Sequence, residues 1–355
     1  MSDQFAFRPA GSTTAAIIHM LDFIYKMFES NNDYVRALLI DYSKAFDSVN
    51  HIVLLEELGS IGFHSSVFRW VSDFLAGRLQ AVKVGPELSD FAPITRSIVQ
   101  GSGLGPTLYI ALARKLKCIS SNNRLYKYAD DSSLLAPQNT DCTIENEFNK
   151  VKKWSASSKL VINVKKTKEI IFYKSKFAKS KHTSIPEIDG IERVQIVTLL
   201  GVIFNSELSW TPHIDNMLKQ ISQRFYLIGQ LKSMSLSPVY LDHIFDALVL
   251  SWLRYALEAY SGNVLMGDVD RINAVFRKAR RWGLTSTTHV YQNIADGAVS
   301  KLARKIMNPD HCLHSLIPPI KHNTRYALRN NDCTFSLPLI KNDKYLNSFI
   351  PRSFH

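Results

Sequence analysis

Cysteine is scarce in this chain of 355 residues, which contains only Cys118, Cys142, Cys312 and Cys333. These cysteines lie far apart and form no Cys-x-x-Cys pair. Zinc knuckles and disulfide frameworks need closely spaced or regularly paired cysteines, so the sequence excludes both as the basis of the fold. The pattern is typical of free thiols in a reducing compartment.

Long apolar runs are also missing. No stretch reaches the roughly 18 apolar residues that a membrane-spanning helix needs. The first residues, Met-Ser-Asp-Gln, do not form the basic and then apolar pattern of a secretion signal. We therefore expect no membrane partner and a soluble intracellular protein, located in either the nucleus or the cytoplasm.

Acidic residues are sparse in one part of the chain. Residues 150–181 contain eleven lysines and one acid, Glu169, within a net charge of +12 for the whole sequence. The aromatic residues that alternate with these lysines are Trp154, Phe172, Tyr173 and Phe177. A second basic cluster, residues 271–281, lies on a predicted helix. Both patterns favour contact with nucleic-acid phosphates, and the alternative is a solvated, solubilising surface.

The most informative motif is Tyr-Ala-Asp-Asp at residues 128–131. Two short β-prone runs, residues 124–127 and 132–136, flank it and predict a hairpin with the acids at its tip. Adjacent carboxylates repel each other unless a cation neutralises them, so the pair indicates a Mg²⁺ site. The alternative is a turn in which Asp serves only local hydrogen bonds.

A second acidic position follows a strand pattern. Residues 35–40, Val-Arg-Ala-Leu-Leu-Ile, have the composition of a buried strand and run directly into Asp41. If this strand and the hairpin are neighbours in one sheet, Asp41 lies beside Asp130. The carboxylates would then form a site for two metal ions about 4 Å apart.

The order of the motifs resembles a known family. Asp-x-x-Lys-Ala-Phe-Asp at residues 41–47 is followed by Gln-Gly-Ser-x-Leu-Gly-Pro at 100–106 and by Tyr-Ala-Asp-Asp. Together they resemble the palm of a reverse transcriptase, most of all those encoded by non-LTR retrotransposons, over residues 4–213. Because the chain begins near the first family motif, we expect an N-terminally truncated fragment without the upstream fingers.

The resemblance implies a catalytic and metal-binding set. Asp41, Asp130 and Asp131 would be the catalytic carboxylates and the ligands of two Mg²⁺ ions, with Mn²⁺ as an alternative. The implied reaction is nucleotidyl transfer from deoxynucleoside triphosphates to a primer 3′-hydroxyl on an RNA template. The expected partners are therefore the RNA template, the DNA primer and the nucleotides.

The resemblance also implies residues that contact the nucleotide or the template. Phe46 would exclude a ribose 2′-hydroxyl, and an ordinary core phenylalanine is the alternative. Gln100 and Gly101 would line the nucleotide and template pocket. Lys166 or Lys168 would act on the leaving pyrophosphate, either as a general acid or by neutralising its charge.

The expected fold is α+β, with an antiparallel palm sheet backed by helices and then an α-helical thumb-like module. The predicted regions are residual fingers and the start of the palm at 1–34, palm at 35–205, thumb-like helices at 206–308 and an irregular tail at 309–355. Periodicity places the thumb-like helices at 213–233, 238–260, 267–283 and 291–307. Within the palm, Asp47 is predicted to cap the following helix.

Two functions of different classes fit the sequence. The three carboxylates favour an RNA-directed DNA polymerase. The expected lack of fingers favours a catalytically silent retroelement remnant that binds RNA or DNA through its lysines. A metal-dependent phosphohydrolase is a third possibility with less support, because the Gln-Gly and Tyr-Ala-Asp-Asp motifs occur together in polymerases.

Overall fold

The computed structural model of this chain describes residues 3–99, 101–320 and 335–354. Helices and short strands alternate within these ranges, which is the α+β architecture predicted from the sequence. No helix in the described part of the chain combines the length and the apolar character needed to cross a membrane.

Five strands form the main sheet. In chain order, the strands of the described residues are β1 (Tyr34–Ile40), β2 (Leu79–Gln80), β3 (Lys83–Val84), β4 (Glu87–Leu88), β5 (Ala92–Pro93), β6 (Arg124–Tyr128), β7 (Asp131–Pro137), β8 (Lys168–Tyr173), β9 (Glu192–Val194), β10 (Ile196–Leu199) and β11 (Val202–Asn205). The main sheet has the order β6-β7-β1-β8-β9, and the other strands pair as β2 with β5, β3 with β4 and β10 with β11. The strands that carry the two acidic motifs are therefore neighbours, as predicted.

Helices account for most of the remaining described residues. In chain order they are α1 (Thr13–Glu29), α2 (Ala45–Ser48), α3 (His51–Ile61), α4 (Ser65–Leu75), α5 (Gly105–Leu112), α6 (Ile144–Ser157), α7 (Lys176–Lys181), α8 (Thr211–Ser233), α9 (Pro238–Phe245), α10 (Ser251–Arg254), α11 (Leu257–Tyr260), α12 (Met266–Arg281), α13 (Tyr291–Ile306), α14 (Asp343–Leu346) and α15 (Phe349–Phe354). Three of the four helices predicted between residues 213 and 307 are confirmed as α8, α12 and α13.

The chain divides into two compact units. Unit 1 contains Met1–Phe7, Ala37–Glu169 and Pro186–Arg193, and unit 2 contains Arg8–Arg36, Ile170–Ile185 and Val194–His355. Each unit thus gathers segments that are distant in the sequence. The assignment of 1–34, 35–205 and 206–308 to polymerase subdomains stays a prediction.

The core of unit 1 forms around the strands of the acidic motifs. Leu38 and Ile40 of β1 pack in one buried cluster with Leu134 of β7 and with Leu108 and Leu112 of α5. Burial of each such side chain contributes about 1.5–3 kcal/mol to folding. This packing fixes the strands that lead into the acidic motifs.

Unit 2 contains most of the long helices. The helix predicted over 238–260 runs from α9 through a π-helical turn, Asp246–Leu250, into α10. It is then interrupted, because Ala256 has a left-handed backbone conformation with φ of +51°. Just before this break, the Tyr255 hydroxyl donates to the carbonyl oxygen of Leu200 at 2.8 Å. Trp210 and His213 are buried against Tyr260, so both are packing residues within unit 2.

The C-terminal segment is more ordered than predicted. Residues 335–354 include α14 and α15, whereas the sequence favoured an irregular tail over 309–355. Tyr345, Phe349 and Ile350 are buried within unit 2. The polar composition of the tail hid these apolar side chains, which stabilise helices too short to form alone. The part of the tail at 321–334 lies outside the described residues.

The prediction that Asp47 caps the helix after the first acidic motif is wrong. Asp47 lies inside the short helix α2, which ends at Ser48. Asn50 is the N-cap of α3, and its Oδ1 accepts hydrogen bonds from the backbone N–H groups of Ile52 and Val53 at 3.1 and 3.2 Å. Both residue types are good caps, so local sequence did not distinguish them.

The corrected cap predicts a difference in stability. Asn50→Ala removes two hydrogen bonds to orphan N–H groups, so we expect it to lower the free energy of unfolding by about 1 kcal/mol. Asp90→Ala, a change at an exposed loop residue of unit 1, is the control and should cost clearly less. Urea unfolding followed by circular dichroism measures both, and equal losses would contradict the assignment of the cap.

Candidate active site

The β6–β7 hairpin presents two carboxylates at its tip. Tyr128 and Asp131 form the last antiparallel pair, which leaves Ala129 and Asp130 as the turn. Ala129 has a left-handed backbone with φ of +55°, which costs a residue with a Cβ about 1 kcal/mol. The turn is therefore a strained element, and it positions Asp130 and Asp131 side by side.

Asp41 lies close enough to the hairpin turn to influence Asp130 and Asp131 electrostatically. Asp41 follows β1, which is the neighbour of β7 in the sheet. Burial raises the pKa of the half-buried Asp130 carboxyl, and the charge of Asp41 raises it further. Partial burial also raises the pKa of Asp131, and the charges of Asp130 and Asp41 raise it further. Part of the Asp131 residue remains exposed to solvent. The three predicted carboxylates therefore interact electrostatically.

Their chemistry fits a hard divalent cation. Within the described ranges, no group of three or more His, Cys, Asp or Glu side chains forms a ready-made metal cluster. Carboxylate oxygens are nevertheless the ligands that Mg²⁺ prefers, and the mutual repulsion of Asp41, Asp130 and Asp131 is what a cation would relieve. These three side chains are the ones that would hold it.

Two aromatic rings lie beside the carboxylates. Phe46 is half-buried and stacks on Tyr109 of α5, with ring centroids 4.6 Å apart and an angle of 23° between the planes. Burial raises the pKa of the Tyr109 hydroxyl, and the charges of Asp130 and Asp131 add to this effect. Sequence reasoning did not identify Tyr109, although its place one turn after Pro106 was a usable signal.

The glycine-rich loop precedes α5. Gln100 lies outside the described residues. Gly101 has a φ of +80°, a conformation that residues with a side chain rarely adopt. The backbone at this position therefore requires glycine. Pro106 lies in the first turn of α5, where its lack of an N–H costs nothing. The roles of Gln100 and Gly101 at the nucleotide and template pocket stay predictions.

Lys166 lies in a turn that contacts Asp41 directly. The backbone N–H of Asn163 donates to the carbonyl oxygen of Asp41 at 2.8 Å. Lys166 is exposed three residues later, and its backbone N–H donates back to the carbonyl oxygen of Asn163 at 3.1 Å. Lys168 instead pairs with Glu192. Of the two lysines, the ammonium of Lys166 is thus the one with no ion pair among the described contacts.

The lysines of residues 150–181 do not alternate with exposed aromatic rings. In unit 1, Trp154 is half-buried and packs edge-on against Tyr42. In unit 2, Phe172 and Tyr173 are buried, whereas 77% of Phe177 is exposed. The exposed lysines of unit 1 in this range are Lys152, Lys153, Lys159, Lys165 and Lys166. A basic surface exists on unit 1, but the predicted set of stacking rings does not.

The second basic cluster is partly neutralised. In unit 2, Arg271 forms ion pairs with Asp215 and Asp268, at 2.5 and 2.7 Å. The other basic residues of α12, all of them exposed, are Arg277, Lys278, Arg280 and Arg281. The ammonium of Lys278 lies 4.3 Å from the centre of the Trp282 ring. The C-terminal half of α12 therefore carries most of the free positive charge.

The family model and the curated relatives that match this chain describe the same class of protein. Residues 1–204, more than half of the chain, match the family described as reverse transcriptase (RNA-dependent DNA polymerase). Two relatives from Drosophila melanogaster are the RNA-directed DNA polymerase from mobile element jockey, 24% identical over 297 residues, and the probable RNA-directed DNA polymerase from transposon BS, 25% identical over 296 residues. Each comparison covers 78% of this chain, and 31% and 32% of the two relatives. The chain thus spans about a third of their length.

Similar solved structures include two polymerases. A telomerase from Candida tropicalis in complex with a fragment of telomeric RNA has a TM-score of 0.46 at 13% identity, over 88% of this chain and 53% of the telomerase chain. The RNA-dependent RNA polymerase of a human picobirnavirus has a TM-score of 0.32 at 16% identity, over 86% and 56% of the two chains.

The raised pKa of Asp130 predicts a pH dependence. The folded chain holds this proton more tightly than the unfolded chain, so the carboxyl lowers stability as pH rises from about 4 through its raised pKa. Without divalent cations, we expect Asp130→Asn to raise the unfolding temperature at pH 7 by roughly 2 °C. The gain should vanish near pH 4, and thermal melts across this range measure it.

A control of opposite sign is available in unit 2. Hydrogen bonds from Ser286 and Thr285 lower the pKa of Asp242. Asp242→Asn should therefore lower the unfolding temperature at pH 7, and this loss should shrink as pH falls below about 4. A destabilising effect of Asp130→Asn at pH 7 would contradict the assigned repulsion.

Proposed function

This chain belongs to the reverse transcriptase family, and we propose that it is the polymerase core of a non-LTR retrotransposon's RNA-directed DNA polymerase. The proposed reaction adds deoxynucleotides to a primer 3′-hydroxyl on an RNA template. The observation that carries the proposal is that Asp41, Asp130 and Asp131 lie on neighbouring strands or directly beside them and influence one another electrostatically.

The carboxylates provide position and charge. When bound, two Mg²⁺ ions would supply activation of the primer hydroxyl and neutralisation of the triphosphate. Asp41 and Asp130 would hold these ions, with Asp131 as the third carboxylate. The sheet fixes Asp41 and the hairpin turn fixes Asp130, so little reorganisation is needed at the moment of reaction.

Phe46 is proposed to select the sugar. Its half-buried ring rests on Tyr109, which is itself buried beside Asp130 and Asp131. A ring supported from behind cannot retreat when a nucleotide approaches, so a 2′-hydroxyl would meet a fixed obstacle. The two interpretations of Phe46 are compatible, because one side packs on Tyr109 while the other remains partly exposed.

The remaining contacts are proposed for the nucleotide and the template. Gly101 would bring the backbone close to the incoming nucleotide, and Gln100 would line the same pocket. The exposed ammonium of Lys166 would neutralise the triphosphate or the leaving pyrophosphate. The exposed lysines of unit 1 would bind phosphates of the template and the primer, which makes affinity fall steeply with salt.

Primer extension tests the proposed reaction. On a poly(rA)·oligo(dT) substrate with Mg²⁺, we expect Asp130→Asn to lose extension by at least about 10²-fold, because an electrostatic contact at the reacting centre is removed. The matched control is Asp90→Asn, a change at an exposed loop residue of unit 1, which should extend normally.

The outcomes separate the competing functions. Full extension by Asp130→Asn would exclude its catalytic role. Salt-sensitive binding without extension by any form would indicate instead a retroelement remnant that binds nucleic acid but does not copy it.

Selection against ribonucleotides tests Phe46. Phe46→Val opens space at the sugar, so we expect the preference for deoxynucleotides to fall by about 10–100-fold, measured as the ratio of kcat/KM values. Phe91→Val makes the same change at a phenylalanine that is 65% exposed. An unchanged ratio in Phe46→Val would show that Phe46 only packs.

A further inference from the structure

The backbone of Asp41 is held on both sides by one short turn. Its carbonyl oxygen accepts the N–H of Asn163 at 2.8 Å, and its N–H donates to Oγ1 of Thr167 at 3.3 Å. Ser43, two residues on, donates to the carbonyl oxygen of Val161 at 2.8 Å. Residues 161–167 thus pair with the segment that carries Asp41.

The Oγ1 atom of Thr167 both donates and accepts a hydrogen bond next to Asp41. Its side chain is fully buried, at 0% exposure. Oγ1 donates its proton to the carbonyl oxygen of Asn163 at 2.9 Å, which directs its lone pairs to the N–H of Asp41. A buried hydroxyl with both roles satisfied has one stable orientation, so it fixes the backbone it contacts.

The hairpin turn has an equivalent support. Oε1 of Gln4 accepts the N–H of Ala129 at 3.2 Å and the N–H of Ala6 at 3.0 Å. Gln4 is 2% exposed, so this oxygen competes with no bulk water. Ala129 is the left-handed residue directly before Asp130, and a fixed acceptor on its N–H stabilises that strained turn.

The segment that carries Gln4 is itself anchored. The N–H of Lys127 donates to the carbonyl oxygen of Asp3, and the N–H of Phe5 donates to that of Lys127, both at 2.8 Å. The buried Lys127 ammonium contacts the Asp3 carboxylate at 2.9 Å and the carbonyl oxygens of Ala113 and Leu116. Gln4 therefore lies on a rigid support along the edge of β6.

We propose that Gln4 and Thr167 are positioning residues that hold Asp130 and Asp41 where the carboxylates share bound cations. Each contact joins residues distant in the sequence, because the residue numbers of Gln4 and Ala129 differ by 125 and those of Asp41 and Thr167 differ by 126. Neither side chain needs to touch substrate or metal. This inference rests on the proposed function, because it assigns the two residues to the same site.

The test uses isosteric changes in the intact chain. Thr167→Val removes the hydroxyl and keeps the shape, whereas Thr167→Ser keeps the hydroxyl. Gln4→Met removes the acceptor at nearly constant volume. Thr140→Val is the control, because the half-buried Thr140 also donates a hydrogen bond in unit 1, to Oδ1 of Asn123 at 2.7 Å.

Two readouts are measured for every variant: the Mg²⁺ concentration for half-maximal extension, and the rise in unfolding temperature when Mg²⁺ alone is added. We expect Thr167→Val and Gln4→Met to need about 10-fold more Mg²⁺, in line with other groups that orient metal ligands, and to show a smaller Mg²⁺-induced rise. Thr167→Ser should restore both values, and Thr140→Val should leave both unchanged although it melts earlier.

The outcomes separate this inference from the proposed function. Extension by the unmodified chain, with unchanged Mg²⁺ dependence in Thr167→Val and Gln4→Met, would overturn the positioning roles alone. If the unmodified chain does not extend but its Mg²⁺-induced rise shrinks in both variants, positioning is supported while the proposed reaction fails. An unmodified chain that neither extends the primer nor is stabilised by Mg²⁺ would overturn both.

Discussion

Repulsion among Asp41, Asp130 and Asp131 is the constraint on which this site depends. Burial and like charge both raise the pKa values of Asp130 and Asp131, so the folded chain holds its carboxylates together at a cost. A fold tolerates such a cost only where the surrounding packing overrides it. The buried cluster around β1, β7 and α5 provides that packing.

The need to hold repelling carboxylates together also explains the conformation of the backbone that carries them. Asp130 follows a residue with a left-handed φ, and Asp41 follows the last residue of a buried strand. Side chains with flexible attachments would relax away from each other, whereas carboxylates on a fixed sheet and a fixed turn cannot. Preorganised charge of this kind is the main means by which a protein assists phosphoryl transfer, because the reaction needs little covalent chemistry from the protein itself.

Aromatic packing and surface charge complete the arrangement in different ways. Tyr109 is buried next to the carboxylates and the half-buried ring of Phe46 stacks on it, so the role proposed for Phe46 rests on shape. The role proposed for the lysines of residues 150–181 rests on charge, because Phe172 and Tyr173 among them are buried and Trp154 is half-buried. Contact with nucleic acid at this surface would therefore depend on phosphates and on salt more than on stacking.

The sequence by itself determined the local elements: the Tyr-Ala-Asp-Asp hairpin, the strand into Asp41, the glycine at position 101 and the helices α8, α12 and α13. Each follows from turn chemistry or periodicity within a few residues. Only the tertiary structure decided that Tyr109 lies beside the carboxylates, that Asn50 rather than Asp47 caps α3, and that Gln4 and Thr167 hold the acidic backbones. These contacts depend on the order of the strands in the sheet and on which of several chemically similar side chains reaches a given backbone group. Neither can be read from a local sequence pattern.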